Sequence, residues 1–203
     1  MLIVFCGIDG CGKSTYIDCL KKHMESNGTL CQIIDPMKKG VLSQALKKIP
    51  IASEVNVNHL FDPTLISSAY ALDMLYSMSK NEKNIFYLSH RYDLCCRSYA
   101  MVQSANINYI DMILSCLPIP NLTVYIKISS VIAYERLIQR NKKLSWKENI
   151  DVLTNASLYY DINFNRLRRN KIMIDNSEAE DFEGNMDAIK NKINELLGKE
   201  AEK

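Results

Sequence analysis

The sequence predicts an α/β fold, with a five-stranded parallel sheet that has helices on both faces. Short apolar runs alternate with stretches of helical period, and no two-residue hairpin turn joins one apolar run to the next. Strands that alternate with helices form parallel sheets covered on both sides. The chain has 203 residues, 47% of them hydrophobic, which is enough to bury one substantial core. We therefore expect a single domain over residues 1–203.

Five short runs rich in apolar and β-branched residues are the predicted strands. They cover residues 2–5, 29–34, 85–88, 122–128 and 171–174. The second run ends at Asp35-Pro36, because the residue before a proline is pushed out of the helical region and proline cannot continue a strand ladder.

Helices are predicted between these strands and after the last one. Asp62-Pro63 is a typical helix start, with an acceptor at the N-cap and a proline at the first position, and it begins a long apolar helix that runs to about residue 79. Other helices are predicted over 131–140 and 147–168, and residues 41–49 form an amphipathic segment before a loop over 50–58. The last helix has an apolar stripe of Met186, Ile189, Ile193, Leu196 and Leu197.

Residues 7–15 read Gly-Ile-Asp-Gly-Cys-Gly-Lys-Ser-Thr and match the phosphate-loop motif G-x-x-x-x-G-K-[ST]. In such a loop, main-chain N–H groups and a helix N-terminus surround phosphate oxygens. The motif follows the first predicted strand, and Ile17, Leu20 and Met24 then share one helix face, with Asn27-Gly28 able to end the helix. The chain is therefore expected to have the P-loop NTPase fold and to bind a nucleoside triphosphate.

Individual residues of this loop predict contacts with ATP and Mg²⁺. Lys13 supplies a full positive charge, the Ser14 hydroxyl can help to hold Mg²⁺ between the terminal phosphates, and Thr15 extends the helix cap. The predicted ATP-binding residues of the loop are Gly7, Asp9, Gly10, Cys11, Gly12, Lys13, Ser14 and Thr15.

Three segments follow the carboxyl ends of predicted strands, where parallel sheets bind ligands: 7–15, 35–39 and 89–97. Arg91 lies in the third segment, and its guanidinium is suited to bridge the donor and acceptor phosphates of a phosphoryl transfer. A purely structural role for Arg91, capping the strand or pairing with Asp93, remains an alternative.

Composition argues against several other classes of protein. The formal net charge is only +2, with acidic and basic residues interleaved, so nothing indicates a nucleic-acid or membrane partner. The seven cysteines are odd in number and include no C-x-x-C pair, which favours reduced thiols over a disulfide framework. No signal peptide and no apolar run of membrane-spanning length is recognisable, so a cytoplasmic protein is expected.

Over nearly its whole length the chain resembles the thymidylate kinase family. The similar segments are the loop at 7–15, His-Arg-Tyr-Asp-Leu from His90 with Tyr99 beyond it, Pro-Asn-Leu-Thr-Val-Tyr-Ile from Pro120, and Tyr-Glu-Arg-Leu-Ile-Gln-Arg from Tyr134. The resemblance implies a P-loop kinase that uses ATP and Mg²⁺, with Asp9 facing the sugar of the acceptor nucleotide. It also implies a mobile lid, here 141–149, preceded by Arg136 and Arg140 that approach the triphosphate. Members of the family are generally homodimers through a helical face, here the helix at 66–78.

The chain departs from the family at three places in the acceptor pocket. The usual Arg-Glu-Pro is Ile34-Asp35-Pro36, the usual Phe-x-x-x-Arg is Tyr70 followed by Met74, and the usual aspartate before Arg91 is His90. Tyr70 can still stack on a base, but two positive charges are lost. Arg97, Lys38 and Lys39 are candidates to replace them, with ordinary solvated surface charge as the alternative.

The function predicted from these residues is transfer of the γ-phosphoryl group of ATP to a (deoxy)nucleoside monophosphate such as dTMP. The predicted catalytic residues are Lys13, Arg91 and Asp9, and the predicted acceptor-binding residues are Asp9, Asp35, Tyr70, His90, Arg91, Arg97 and Tyr99. Two alternatives remain open. One is a kinase of a neutral hydroxyl, which needs a base such as Asp35 or His90. The other is a nucleotide-binding protein without transfer activity.

Overall fold

The computed structural model of the chain describes residues 1–37, 40–48, 61–79, 85–178 and 181–201. Lys38, Lys39 and the predicted loop over 50–58 lie outside the described residues. Within the described parts of the chain, no helix is both long and apolar enough to cross a membrane.

The five predicted strands form one parallel sheet, which confirms the predicted fold class. The strands are β1 (Leu2–Cys6), β2 (Cys31–Ile34), β3 (Phe86–His90), β4 (Leu122–Lys127) and β5 (Lys171–Asp175). Their order across the sheet is β2-β3-β1-β4-β5, and every neighbouring pair is parallel. The second strand begins two residues later than predicted, because the Thr29 N–H donates to the Met24 carbonyl at 3.0 Å and closes the end of the preceding helix.

Eight α-helices lie among the described residues. They are α1 (Lys13–Ser26), α2 (Val41–Lys48), α3 (Pro63–Met78), α4 (Asp93–Val102), α5 (Ile107–Leu114), α6 (Ser130–Ile138), α7 (Ile150–Arg166) and α8 (Phe182–Ala201). At the start of α3, the Asp62 carboxylate accepts from the Thr64 N–H at 2.7 Å, as the sequence predicts. The stretch predicted as one helix over 147–168 is instead a short 3-10 turn (Trp146–Glu148) followed by α7, because Asn149 leaves the helical conformation and caps α7.

Helices α4 and α5 were not predicted. Most residues of α4 are buried, including polar ones such as Asp93 and Ser98, so apolar residues alone do not mark its buried face. Helix α5 has a helical period, with Ile110 and Leu114 buried one turn apart, that sequence reasoning missed.

The helices form two layers. The chain moves across the sheet in one direction from β1 to β2, and in the opposite direction from β3 to β4 and on to β5. Because such crossovers are right-handed, α1 lies on one face of the sheet and α4 to α7 lie on the other. On the first face, Tyr16 of α1 packs on Phe182 of α8 with ring centroids 4.7 Å apart. On the second, Tyr125 of β4 stacks on Tyr160 of α7 at 5.7 Å. All five residues of β1 are buried between the layers, as a central strand requires.

Candidate active site

The glycine-rich loop begins where β1 ends and runs into the N-terminus of α1. Gly10 and Gly12 have φ values of +87° and +96°, which residues with a Cβ adopt only under strain. A Cβ at Gly10 would also lie 2.5 Å from the Ala133 carbonyl oxygen, and one at Gly12 would lie 2.7 Å from Nδ2 of Asn176. Only glycine lets the loop pass so close to α6 and to the end of β5, so the motif's glycines set its shape.

Lys13 is the buried cation of this loop. Its ammonium donates to the carbonyl oxygens of Gly7 at 2.9 Å and Ile8 at 2.7 Å, and it lies 3.9 Å from the Asp9 carboxylate. The side chain is 4% exposed. The charge is therefore held inside the curve of the loop, where phosphate oxygens are expected.

Asn176 supports the loop from the far end of the sheet, and sequence reasoning missed it. Its Nδ2 donates to the Cys11 carbonyl at 2.9 Å, its Oδ1 accepts from the Tyr16 hydroxyl at 3.0 Å, and its backbone carbonyl accepts from Arg136 at 3.0 Å. The position of Asn176 directly after β5 could have indicated that it belongs to the site, because residues that follow the carboxyl ends of parallel strands lie at one edge of the sheet.

Arg91 follows β3 with a φ of +76°, an uncommon conformation for a residue with a side chain. Two hydrogen bonds hold it there. Its N–H donates to the Phe5 carbonyl at 3.0 Å, and its carbonyl accepts from the Ser89 hydroxyl at 2.7 Å. The strained backbone directs the guanidinium across the edge of the sheet to Asp9, to which Nη2 donates. This pairing is with Asp9 and not with Asp93, which instead accepts two hydrogen bonds from Arg169.

The charges around Asp9 keep it ionised. Burial alone would raise the pKa of Asp9, but Arg91 and Lys13, with smaller contributions from Lys147 and His90, outweigh burial and lower the pKa to about 2. Burial also disfavours the charged form of Arg91, but the negative charge of Asp9 outweighs this effect of burial. The pKa of Arg91 therefore lies well above its usual value. The centre of the site is thus a carboxylate flanked by two permanent cations.

His90 lies between Ser14 and Asp35. Its Nε2 is 3.3 Å from the Ser14 hydroxyl, and its Nδ1 is 3.6 Å from an Asp35 carboxylate oxygen. Burial first, and then the positive charges of Lys13 and Arg91, lower the pKa of His90 to about 4. The imidazole is consequently neutral at pH 7, so its contact with Asp35 is not an ion pair there.

Two adjoining cavities surround the loop. A small one of about 140 Å³ is lined by Asp9, Gly10, Gly12, Lys13, Ser14, Thr15, His90 and Arg140. A larger one of about 520 Å³ continues past Gly10, Gly12 and Thr15 to Tyr16, Arg136, Gln139, Arg140, Asn176 and Phe182. The structure therefore brings both predicted lid arginines to the phosphate loop.

On the other side of Asp9, the predicted acceptor residues Tyr70 and Tyr99 lie close to one another. The Arg91 guanidinium is 5.8 Å from the Tyr99 ring centroid, and the Lys147 ammonium is 5.0 Å from the centroids of both tyrosines. Arg97 is not brought to this cluster. It lies two positions before Tyr99 on α4, about 200° around the helix, and its Nε donates to Asp111 at 2.7 Å.

Several buried polar atoms here have no hydrogen-bond partner among the described residues. They are Nδ1 of His90, Nη1 of Arg91 and the hydroxyls of Tyr99 and Tyr160. The Tyr99 ring packs edge-on against Tyr160 at 6.2 Å and lies 5.8 Å from the Arg91 guanidinium, so three of these four residues are neighbours, whereas Nδ1 of His90 lies towards Asp35. Buried polar atoms are nearly always paired, and a group of unpaired ones indicates a site for a polar ligand.

Comparison with known proteins identifies the family. A sequence model described as "Thymidylate kinase" matches residues 5–186, which is most of the chain. The chain belongs to the thymidylate kinase family. The resemblance of the motifs is thereby confirmed, and the protein is a nucleoside monophosphate kinase. The phosphate loop, Arg91 after β3, Arg136 of α6 and Arg140 just beyond α6 lie at the same edge of the sheet.

Three curated relatives have the same description. A probable thymidylate kinase of Methanococcus maripaludis is 28% identical over 70% of this chain and 67% of its own length. A thymidylate kinase of Thermosipho africanus is 26% identical over 89% of this chain and 92% of its own. A probable thymidylate kinase 1 of Saccharolobus solfataricus is 26% identical over 78% of this chain and 80% of its own.

Proposed function

We propose that the protein transfers the γ-phosphoryl group of ATP to a deoxynucleoside monophosphate, and that dTMP is its preferred acceptor. The observation that carries this proposal is the group of unpaired polar atoms around Arg91, beside the phosphate loop. An acceptor that carries a phosphate and hydroxyls would satisfy those atoms and place its phosphate next to the γ-phosphate of ATP.

The loop and α6 are the proposed binding site for ATP. The main-chain N–H groups of residues 10–15 surround the phosphates, Lys13 turns its ammonium from the loop carbonyls to the transferred group, and Arg140 faces the same small cavity. The adjoining cavity at Arg136 and Phe182 has the size and the ring surface to accept the nucleoside of ATP.

The side chains at the loop fit a magnesium ion. Magnesium in such sites is held by hydroxyl, carboxylate and phosphate oxygens. The Ser14 hydroxyl and the Asp35 carboxylate supply two such groups, and they lie near each other because both are close to the neutral His90 ring. Ser14 would hold the ion directly and Asp35 would hold it directly or through water. Bound there, Mg²⁺ would neutralise charge on the terminal phosphates of ATP.

The acceptor side requires no general base. A nucleoside monophosphate is already anionic at neutral pH, so positioning and charge neutralisation are sufficient for transfer. Arg91 is the proposed bridge between the two phosphates, and Asp9 holds Arg91 while facing the sugar of the acceptor. His90, with a pKa of about 4, is a poor proton acceptor at pH 7, which argues against its role as the base of a hydroxyl kinase.

A panel of acceptors tests this proposal. The protein is incubated with ATP, Mg²⁺ and either nucleoside monophosphates or neutral nucleosides, with Lys13→Ala as the blank. We expect turnover of dTMP that persists in His90→Ala and, at a reduced rate because Asp35 helps to hold Mg²⁺, in Asp35→Asn. Turnover only of neutral nucleosides, abolished by one of these two changes, would establish the hydroxyl kinase instead, and ATP binding without any product would establish a protein that lacks transfer activity.

The remaining predictions concern the whole protein. We propose a cytoplasmic homodimer that pairs through the outer face of α3, where Leu65, Leu72 and Tyr76 are exposed, and through α5, which packs on α3 and exposes Met112. We also propose that residues 141–149 act as the lid that excludes water from the reacting phosphates. These residues follow Arg140, and Lys142 and Lys143 within them are exposed.

A further inference from the structure

Three aromatic rings from separate parts of the chain surround the ammonium of Lys147. The ammonium is 5.0 Å from the ring centroids of Tyr70 and Tyr99 and 5.7 Å from that of Trp146. The Tyr99 and Trp146 rings meet edge to face at 6.3 Å. We call Tyr70, Tyr99 and Trp146 the ring cage.

An ordered turn presents Lys147 to the ring cage. The 3-10 turn Trp146–Glu148 is closed by a capping box, in which the Glu148 carboxylate accepts from the Ser145 N–H at 2.6 Å. Asn149 then caps α7 by accepting from the Asp151 N–H at 2.9 Å. The backbone of Lys147 is therefore held at the start of α7, while its four-carbon side chain can change rotamer.

The ring cage is part of the acceptor side of the site. Tyr99 belongs both to the cage and to the surroundings of Arg91, whose guanidinium is 5.8 Å from its ring. The charge of Lys147 also acts on Asp9. Lys147 is thus a third cation of the site, after Lys13 and Arg91, and it lies where the residues facing the base are expected.

The chemistry of the cage matches a keto pyrimidine. Aromatic rings provide stacking surfaces for a base, and an ammonium donates hydrogen bonds but accepts none. Met74 lies one helical turn after Tyr70, at the place where an arginine is usual in the family, and its thioether has no hydrogen to donate. The Lys147 ammonium, 5.0 Å from the Tyr70 ring, can supply a donor there.

We propose that Lys147 is a specificity-determining residue of the acceptor site, and that it donates a hydrogen bond to the carbonyl oxygen at position 4 of a keto pyrimidine held by the ring cage. This inference rests on the proposed function. The base enters between the rings, and the ammonium moves to its edge. Thymine and uracil offer a carbonyl oxygen at position 4, whereas cytosine offers an amino group that cannot accept the bond.

Trp146 allows a direct test because it is the chain's only tryptophan. Its fluorescence is titrated with dTMP, dUMP and dCMP in the wild type, in Lys147→Met and in the control Lys22→Met, an exposed lysine of α1 outside the ring cage and the proposed lid. Trp146→Phe provides the blank. We expect Lys147→Met to weaken dTMP and dUMP binding by about 10- to 100-fold, with dCMP nearly unchanged. Lys147→Arg should recover part of the loss, and Lys22→Met should have no effect.

Steady-state kinetics separate this inference from the proposed function. If the wild type phosphorylates dTMP and Lys147→Met has the same dTMP to dCMP preference, the role of Lys147 is refuted and the kinase remains. If Lys147→Met binds every monophosphate more tightly, Lys147 is an obstruction in the cage, which also refutes the inference. If dTMP binds with the expected dependence on Lys147 but is not phosphorylated, the inference holds and the proposed transfer activity fails.

Discussion

Lys13 and Arg91 share one carboxylate, and this arrangement explains how two cations remain inside the site without repelling each other. Asp9 accepts from Arg91 and lies 3.9 Å from the Lys13 ammonium. A carboxylate between two cations offsets their mutual repulsion and keeps both side chains in place for the phosphates.

Lys13→Ala should reduce kcat for phosphoryl transfer by about 10²- to 10³-fold, because a buried charge at the transferred group stabilises the transition state. Initial rates at saturating ATP and acceptor measure the loss. Lys22→Ala, on the exposed side of the same helix, is the control and should retain the wild-type rate. An unchanged rate in Lys13→Ala would mean that the reacting phosphates lie elsewhere.

His90 should make the folded protein sensitive to mild acid. In the unfolded chain His90 binds a proton near pH 6.5, but in the folded protein it does so only near pH 4, so its contribution to stability is present above pH 6.5 and is lost as the pH falls towards 4. This loss amounts to at most about 3 kcal/mol.

Urea unfolding at several pH values between 7 and 4 tests this assignment. His90→Gln, which cannot titrate, should show a smaller decrease in the free energy of unfolding than the wild type. His23→Gln retains His90 and should therefore retain the wild-type slope. If His90→Gln and the wild type have the same slope, His90 is not the group responsible.

The phosphate loop depends on elements that are distant from it in sequence. Gly10 passes under the Ala133 carbonyl of α6, and Asn176 after β5 donates to Cys11. The loop is thus held on both sides, by α6 and by the residue that follows β5. We therefore expect its shape to be preformed in the absence of nucleotide.

Gly10→Ala should weaken ATP binding by about 10-fold or more, since the added methyl group would overlap the Ala133 carbonyl and displace the loop. Gly28→Ala is a matched control. Gly28 also has a positive φ, +77°, but a Cβ there would meet nothing within 4 Å. It should cost about 1 kcal/mol of stability and leave ATP affinity unchanged. Calorimetric titration with ATP would distinguish the two, and equal affinities would refute the role of the close approach.

Across the whole molecule, the two helix layers bury the sheet and leave apolar side chains exposed on α3 and α5. Leu72 is 41% exposed and Met112 is 59% exposed. Exposed apolar residues on neighbouring helices are typical of an interface between protein chains.

Sedimentation at micromolar concentration should give a mass of twice 23.2 kDa. Leu72→Asp should give the monomer mass, because a charge would be buried in the interface. Met173→Asp, an equally drastic change at a residue of β5 that is 52% exposed, at the edge of the sheet opposite β2, should leave the dimer intact. A monomeric wild type would refute the proposed dimer.

The sequence alone determined the class of fold and the phosphate loop, because both depend on neighbouring residues. The spacing of apolar side chains along the chain distinguishes strands from helices. The glycines of 7–15 permit the positive φ values of the loop at their own positions. Helix α4 escaped prediction because polar residues such as Asp93 and Ser98 are buried together with its apolar ones.

The contacts within the site depended instead on the folded arrangement of the chain. Arg91 and Asp9 are 82 residues apart, and Asn176 and Cys11 are 165 apart. Arg97 lies outside the site because of its position around the axis of α4. Lys147 lies beside Tyr70 and Tyr99 because of where the 3-10 turn before α7 ends. These contacts depend on the order of the strands and on how each helix is rotated against the sheet. No local sequence pattern encodes either of them.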